Sequence, residues 1–275
     1  MPTVALVLAL AAAVLHALWN LLVAGAEDTE GATAVALVAG LVAGAPVALL
    51  SWNVHAAAIP YLAAASLLQL AYIALLVEAY RRADMSVVYP LARGTAPVLV
   101  LLVSLIALGA SVSRPQALGV AAVGCGVLLV RGFRPDLSDL RGILLSLAVA
   151  ACIAGYTLTD KYGIRHANAL AYVELEMVVP TLVYAGVVYR LRGRARMRGV
   201  STVTNAAAGV AMFLGYALVL LALKRASAPS VAAVRESSVV IATALAAIVL
   251  HERVTPARFA GAAVVVGGVA LVALG

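Results

Sequence analysis

The chain has 275 residues, of which 65% are hydrophobic and 11% charged, with a mean hydropathy of +1.08. Soluble domains hold about 45 to 50% apolar and about 25% charged residues, so this composition excludes a soluble globular protein and makes lipid the solvent. The net charge of +7 would suggest nucleic acid in a soluble chain, but the cations sit in short connections, where they act as topology signals, and no nucleic-acid partner is implied.

Polar punctuation divides the chain into ten apolar segments, at about 4–24, 32–51, 57–80, 86–109, 115–130, 142–162, 168–189, 203–223, 227–250 and 256–274. Runs of roughly 20 such residues cross a hydrocarbon core of about 30 Å as helices. None alternates with a period of two, which excludes a β-barrel. Segment 1 lacks the basic start of a signal peptide and carries "HALWN", so it is expected to be retained. His16 and Asn20 lie four apart on one helical face, with Trp19 beside them. Segment 3 holds Gln69, Tyr72 and Glu78, and segment 4 holds Arg93 between Pro90 and Pro97.

Cys125 and Cys152 stand alone in apolar runs and read as packing residues. Segment 6 presents Tyr156 and Asp160 on one face, again four apart. In segment 7, "YVELEMVV" sets Glu174 and Glu176 on opposite faces, and Glu174 is the one expected to face a cavity. Segment 9 places Arg235 and Glu236 side by side, about 100° apart around a helix, so they serve different neighbours. One reading of Glu236 is an internal counter-ion, the other a protonatable coupling group.

The two halves resemble each other. A shift of 142 residues lays "RRADMSVVYPLARGTAPVLV" on "LKRASAPSVAAVRESSVVIA", matching Arg93 with Arg235, Gly119 with Gly261 and Gly126 with Gly268. A shift of 140 lays His16 on Tyr156 and Asn20 on Asp160. Five segments per copy is an odd number, so the second copy enters the membrane in the opposite sense. The expected fold is an all-α membrane protein with ten transmembrane helices in two inverted five-helix repeats, residues 1–135 and 136–275, an architecture that in transporters puts the substrate site near mid-membrane between the halves.

The repeat, "HALWN", "AGYTLTDKYG" and the ending "LHERVTPARFAGAAVVVGGVALV" resemble the EamA family of the drug/metabolite transporter superfamily. The first copy departs from the pattern, with Gly109-Ala110-Ser111 where the second has His251-Glu252-Arg253. The resemblance implies export of a small metabolite across the cytoplasmic membrane by a multi-pass protein.

Charges inside a membrane helix cost about 2.5 to 3.5 kcal/mol each on an insertion scale, so they face a wet cavity or one another. His16, Trp19, Asn20, Arg93, Tyr156, Asp160, Arg235 and Glu236 are therefore the expected substrate-binding residues, with Tyr72, Glu78 and Glu174 as further cavity or coupling candidates. Paired arginines suit an amino acid or other small carboxylate. The function expected is secondary active transport by alternating access, with protons as one coupling option and the chain acting as a monomer or homodimer. The rival is a membrane enzyme using Arg93, Arg235 and Glu236 on a lipid-linked phosphate. Against it, His251-Glu252 lacks the second His of a zinc-protease helix, and no nucleophile elbow or phosphate loop occurs, so no catalytic residue, metal or cofactor is expected. Connections after odd segments hold eleven Lys/Arg against four after even ones. That tally places both termini outside, whereas the resemblance implies termini inside.

Overall fold

The computed structural model describes residues 1–82, 85–131, 140–249 and 255–275. The expected boundary between residues 135 and 136, Arg134 and the His251-Glu252-Arg253 turn lie outside the described residues. The chain folds as helices α1 (Thr3–Ala24), α2 (Thr29–Leu50), α3 (Ile59–Arg82), α4 (Met85–Ile106), α5 (Arg114–Arg131), α6 (Leu140–Gly163), α7 (Ala169–Val200), α8 (Val203–Leu223), α9 (Ala228–Arg235), α10 (Ser237–Val249) and α11 (Pro256–Leu274). Among the described residues there is no strand, only one isolated bridge between Val54 and Ala167. Among the described residues, seven helices are long and apolar enough to cross a membrane, so the chain is a multi-pass, helical membrane protein.

Two elements depart from the sequence expectation. The ninth segment is not one helix but two, α9 and α10, meeting at Glu236. Helix α7 runs on to Val200, past the expected end near 189, because the Arg-rich tail stays helical after a kink at Gly193. There φ is 77°, a left-handed conformation open to glycine without a Cβ clash.

Local chemistry sets the helix starts. Asp28 caps α2 by accepting from the Gly31 N–H at 3.1 Å, Thr202 caps α8, and Thr255 caps α11 ahead of Pro256, each side chain satisfying a backbone donor that the first turn leaves open. The connection after α2 pairs with the one after α6, through His55 N–H to His166 O at 3.0 Å and Asn168 N–H to Asn53 O at 2.7 Å. The connection after α1 is clamped to the tail of α7: Arg192 lies 2.7 Å from Glu30, and Arg196 3.3 Å from Asp28.

Packing alternates between the halves. Helix α1 lies on α8 as α6 lies on α3, α2 packs against α7 and α8, and α5 packs along α11. Helix α9 sits among α1, α4, α5, α6, α8 and α11, and all eight of its residues are buried. The α5–α11 contact is backbone on backbone. A Cβ on Gly119 would stand 2.6 Å from Gly268 O, and one on Gly261 would stand 2.8 Å from Gly126 O. The 142-residue shift turns Gly119 into Gly261 and Gly126 into Gly268, so it exchanges one contact with the other.

Two outcomes follow for stability in detergent. Gly119→Ala drives a methyl into the Gly268 carbonyl and should lower the unfolding midpoint by an amount worth about 1 to 3 kcal/mol. Gly267→Ala, where a Cβ meets nothing within 4 Å, should stay within about 0.5 kcal/mol of wild type; equal midpoints for the two variants would refute the seam. Asp28 lies in the connection outside the spans, and the Gly31 N–H first, then Arg192 and Arg196, hold its carboxyl below the usual range. A depressed folded value stabilises the fold fully above the unfolded value of about 3.9 and is lost as pH falls through the folded value. Asp28→Asn should therefore unfold earlier than wild type at neutral pH, with the gap closing in strong acid. A constant gap at every pH would contradict this.

Candidate functional site

The site is organised by the interruption between α9 and α10. At Glu236 the backbone N–H bonds back to Ala233 O at 3.1 Å and the carbonyl accepts from Val239 N–H at 3.0 Å, so the ladder tightens into three-residue spacing. Ser237 also turns its hydroxyl onto Val234 O at 2.7 Å. Breaks of this kind at membrane depth are tolerated where the backbone is buried in protein, as it is here.

Arg93 of α4 and Glu236 meet across the two halves of the chain. Arg93 Nη1 donates to Glu236 Oε1 at 3.3 Å, with the two side chains 9% and 2% exposed. Arg93 Nη2 lies 2.8 Å from His16 Nε2, and Trp19 Nε1 stands 3.2 Å from His16 Nδ1. Arginine and tryptophan only donate, and a neutral imidazole offers one acceptor nitrogen, so the shorter Arg93 contact takes it.

Arg235, the last residue of α9, is 7% exposed and donates from Nη2 to Tyr156 Oη on α6 at 3.4 Å. Its Nε has no partner among the described residues. Tyr156 in turn meets Tyr72 and Tyr216 edge to face, at centroid distances of 6.3 and 6.4 Å. Below it on the same face of α6, Asp160 accepts from the Tyr216 hydroxyl. That hydroxyl also lies 3.2 Å from Glu176 Oε1, which accepts from the Gln69 amide at 3.2 Å. Asp160 and Glu176 are 1% and 0% exposed.

Of the candidates, His16, Trp19, Arg93 and Glu236 thus gather in one group, and Tyr72, Tyr156, Asp160 and Arg235 in a second beside it. Asn20 turns back onto His16 O at 2.7 Å within its own helix. Glu78 pairs with Arg82 one turn on, at the end of α3 and away from both groups. Glu174 is buried against Gly44 and Phe213, on the α2 and α8 side. Its neighbour Glu176, expected to face away, is the carboxylate that joins Asp160. Tyr216, Tyr172 and Glu176 were not among the expected site residues; the four-residue spacing of Tyr172 and Glu176 on α7 is the signal that marks their shared face.

Residues 140–274 match the EamA-like transporter family. Over that segment, 135 of its 275 residues, the chain is EamA-like. It is a membrane transporter of the drug/metabolite transporter superfamily type. No curated protein matches it. A crystal structure of a protein with 18% sequence identity superposes with a TM-score of 0.77, covering 98% of this chain and 98% of its own; at that identity the likeness is one of fold. The whole described length of this EamA-like chain therefore takes a known backbone arrangement, while the family match falls on the half that supplies Asp160, Glu176, Tyr216, Arg235 and Glu236.

In this EamA-like transporter, removing Glu236 strips Arg93 of a buried counter-charge. Breaking such a pair from one side costs about 3 to 5 kcal/mol, whereas removing both charges costs far less. Glu236→Ala should be strongly destabilised in thermal unfolding, and the Arg93→Met/Glu236→Met double variant should recover most of the loss. Additive losses in that cycle would show that the two side chains act independently.

Proposed function

We propose that this protein is a secondary transporter of the cytoplasmic membrane that exports a small carboxylate-bearing metabolite, such as an amino acid, with Arg235 holding the substrate carboxylate. The observation carrying this reading is the state of Arg235. A guanidinium stays charged and offers five donors in a planar fork. In this protein it is buried at a helix interruption, bonded to a tyrosine hydroxyl, with a donor left over among the described residues. Arg93, its mate in the repeat, is already engaged by Glu236 and His16. The cation with spare capacity for an incoming carboxylate is therefore Arg235.

Transport runs by alternating access between two inverted five-helix repeats. Three relations support that arrangement. The α1–α8 and α3–α6 packings are exchanged when the halves are exchanged. So are the Gly119–Gly268 and Gly126–Gly261 contacts. In each half the arginine of the fourth segment is bonded by the first segment's ring residue, His16 to Arg93 and Tyr156 to Arg235. The polar groups lie between the halves, where such repeats put their substrate sites. The chain works as a monomer or homodimer.

The test compares metabolites retained by and released from cells lacking the protein and cells overexpressing it, by mass spectrometry. A small carboxylate should move to the medium on overexpression. Charged hydrogen bonds of about 1.5 to 3 kcal/mol make Arg235→Ala reduce its export at least about tenfold in folded protein. Wild-type export by that variant would remove Arg235 from the substrate site.

A further inference from the structure

Asp160 and Glu176 are not exhausted by carboxylate transport. They come from α6 and α7, sit against one hydroxyl, and are cut off from solvent. Neither forms an ion pair with any described residue.

The hydrogens around them can be counted. Tyr216 has one to give, and it lies toward Asp160 Oδ2. Gln69 supplies its amide hydrogens to Glu176 Oε1 at 3.2 Å and to Tyr216 Oη at 3.3 Å. The Tyr216–Glu176 contact at 3.2 Å is then left without a hydrogen, two oxygens facing lone pair to lone pair. Among the described residues Asp160 Oδ1 and Glu176 Oε2 have no hydrogen-bond partner either, nor has the Tyr172 hydroxyl. Two adjacent ionised carboxylates stripped of water would carry a desolvation cost of several kcal/mol each plus their mutual repulsion. One added proton removes a charge and supplies the missing hydrogen, the arrangement adopted by carboxyl pairs that cannot both ionise.

The groups around the pair come from α3, α6, α7, α8 and α9; of the other helices packed on α6 and α7, α4 carries Arg93, engaged by Glu236 and His16, and α2 carries Glu30, engaged by Arg192. Tyr172 stands on α7, Tyr216 on α8, Gln69 and Tyr72 on α3, Tyr156 on α6 itself and Arg235 on α9. Arg235 is the cation among them and acts on Asp160 through space. The arginine and the carboxyl pair thus form a bipolar site, positive at the α9 end and acidic at the α6–α7 end, with the Tyr156 and Tyr216 rings between.

We propose that Asp160 and Glu176 share one exchangeable proton, which an ammonium group of the substrate displaces when its carboxylate binds Arg235. This deepens, and rests on, the assignment of the carboxylate to Arg235. The step balances: the carboxyl O–H breaks, its proton leaves to water, and the ammonium of the substrate replaces it as donor and counter-charge. Within the pair, Tyr216 relays the proton by taking one from Glu176 as it passes its own to Asp160. Substrate and proton compete for one site, so a proton moving inward returns the carrier that took an amino acid outward.

Infrared difference titration of the purified protein reads the protonated carboxyl directly and needs no substrate. Wild type should show a carboxyl C=O band that fades as pH rises, moved in pH by either Asp160→Asn or Glu176→Gln and absent from the double variant. Proton release is then followed with an indicator dye in weak buffer, on adding the common free amino acids or the same mixture N-acetylated. Wild type should release about one proton per chain with the free amino acids and none with the acetylated ones, and the folded double variant should release none. Arg235→Ala should lose the release and keep the infrared band. A band unchanged in the double variant overturns the shared proton, as does the lack of any titrating band in wild type. Equal release with acetylated substrates, or no release from a wild type that shows the band, overturns the exchange. If Arg235→Ala releases protons as wild type does, the arginine assignment falls while the carboxyl pair stands.

Discussion

Lipid offers a buried charge nothing, so each one must be answered from within the protein. Arg93 is where this constraint shapes the rest. Its guanidinium is buried in α4 and is met by Glu236 from the opposite half. Glu236 delivers its carboxylate from the point where the ninth segment tightens and restarts. The ion pair, the interruption and the full burial of α9 are therefore linked: a broken ladder is acceptable only where protein surrounds it, and a carboxylate at that depth is acceptable only beside a cation. The same interruption leaves Arg235 at the end of α9, aimed at Tyr156 and away from Glu236.

The 142-residue correspondence carries the α5–α11 glycine contacts into one another and ends at Glu236. The four glycines of α5 and α11 bring two backbones together in contacts that the repeat exchanges. In the first half, the residue aligned with Glu236 is Gly94, and it presses on Gly124 of α5, where a Cβ would lie 2.9 Å from the carbonyl. Helix α4 stays continuous through its two prolines. One half closes its fourth segment against its fifth with a glycine; the other opens the equivalent segment with a glutamate. The acidic pair follows the same asymmetry. Asp160 replaces Asn20 of the first half, and Asn20 satisfies its amide on its own helix.

The helices were legible in the sequence because hydrocarbon thickness imposes a length and a composition: the expected runs fall on α1 to α8, on α9 with α10, and on α11, and seven of the described helices are long and apolar enough to span. The interruption at Glu236 was not. Its only breaker, Pro229, lies in the first turn of α9, where proline is harmless, and no glycine or proline stands at the interruption itself. Adjacent charges 100° apart were the trace of it. Glu174 and Glu176 differ by two positions, so the sequence gives them opposite faces without saying which face is inward. Tyr172, one turn before Glu176, settles the side only once α7 is known to lie against α3 and α8. Glu78 shows the converse: a charge near a helix end has a cation one turn on and needs no cavity.

The distribution of small residues and polar anchors also separates closely fixed contacts from the interrupted one. Backbones in direct contact, as along α5 and α11, have no side chains to re-sort and cannot slide without overlap. The connection leading into α9 is held as well, since Lys161 of α6 donates to Leu223 O and Ala226 O. Between these fixed ends lies Glu236, whose backbone bonds are in three-residue spacing and whose second carboxylate oxygen has no hydrogen-bond partner among the described residues. A change in how Arg93 is shared between His16 and Glu236 acts directly on that interruption. A change in charge at Arg235 acts one residue away. The single peptide bond between Arg235 and Glu236 thus joins the guanidinium bonded to Tyr156 to the carboxylate paired with Arg93, across the interruption between α9 and α10.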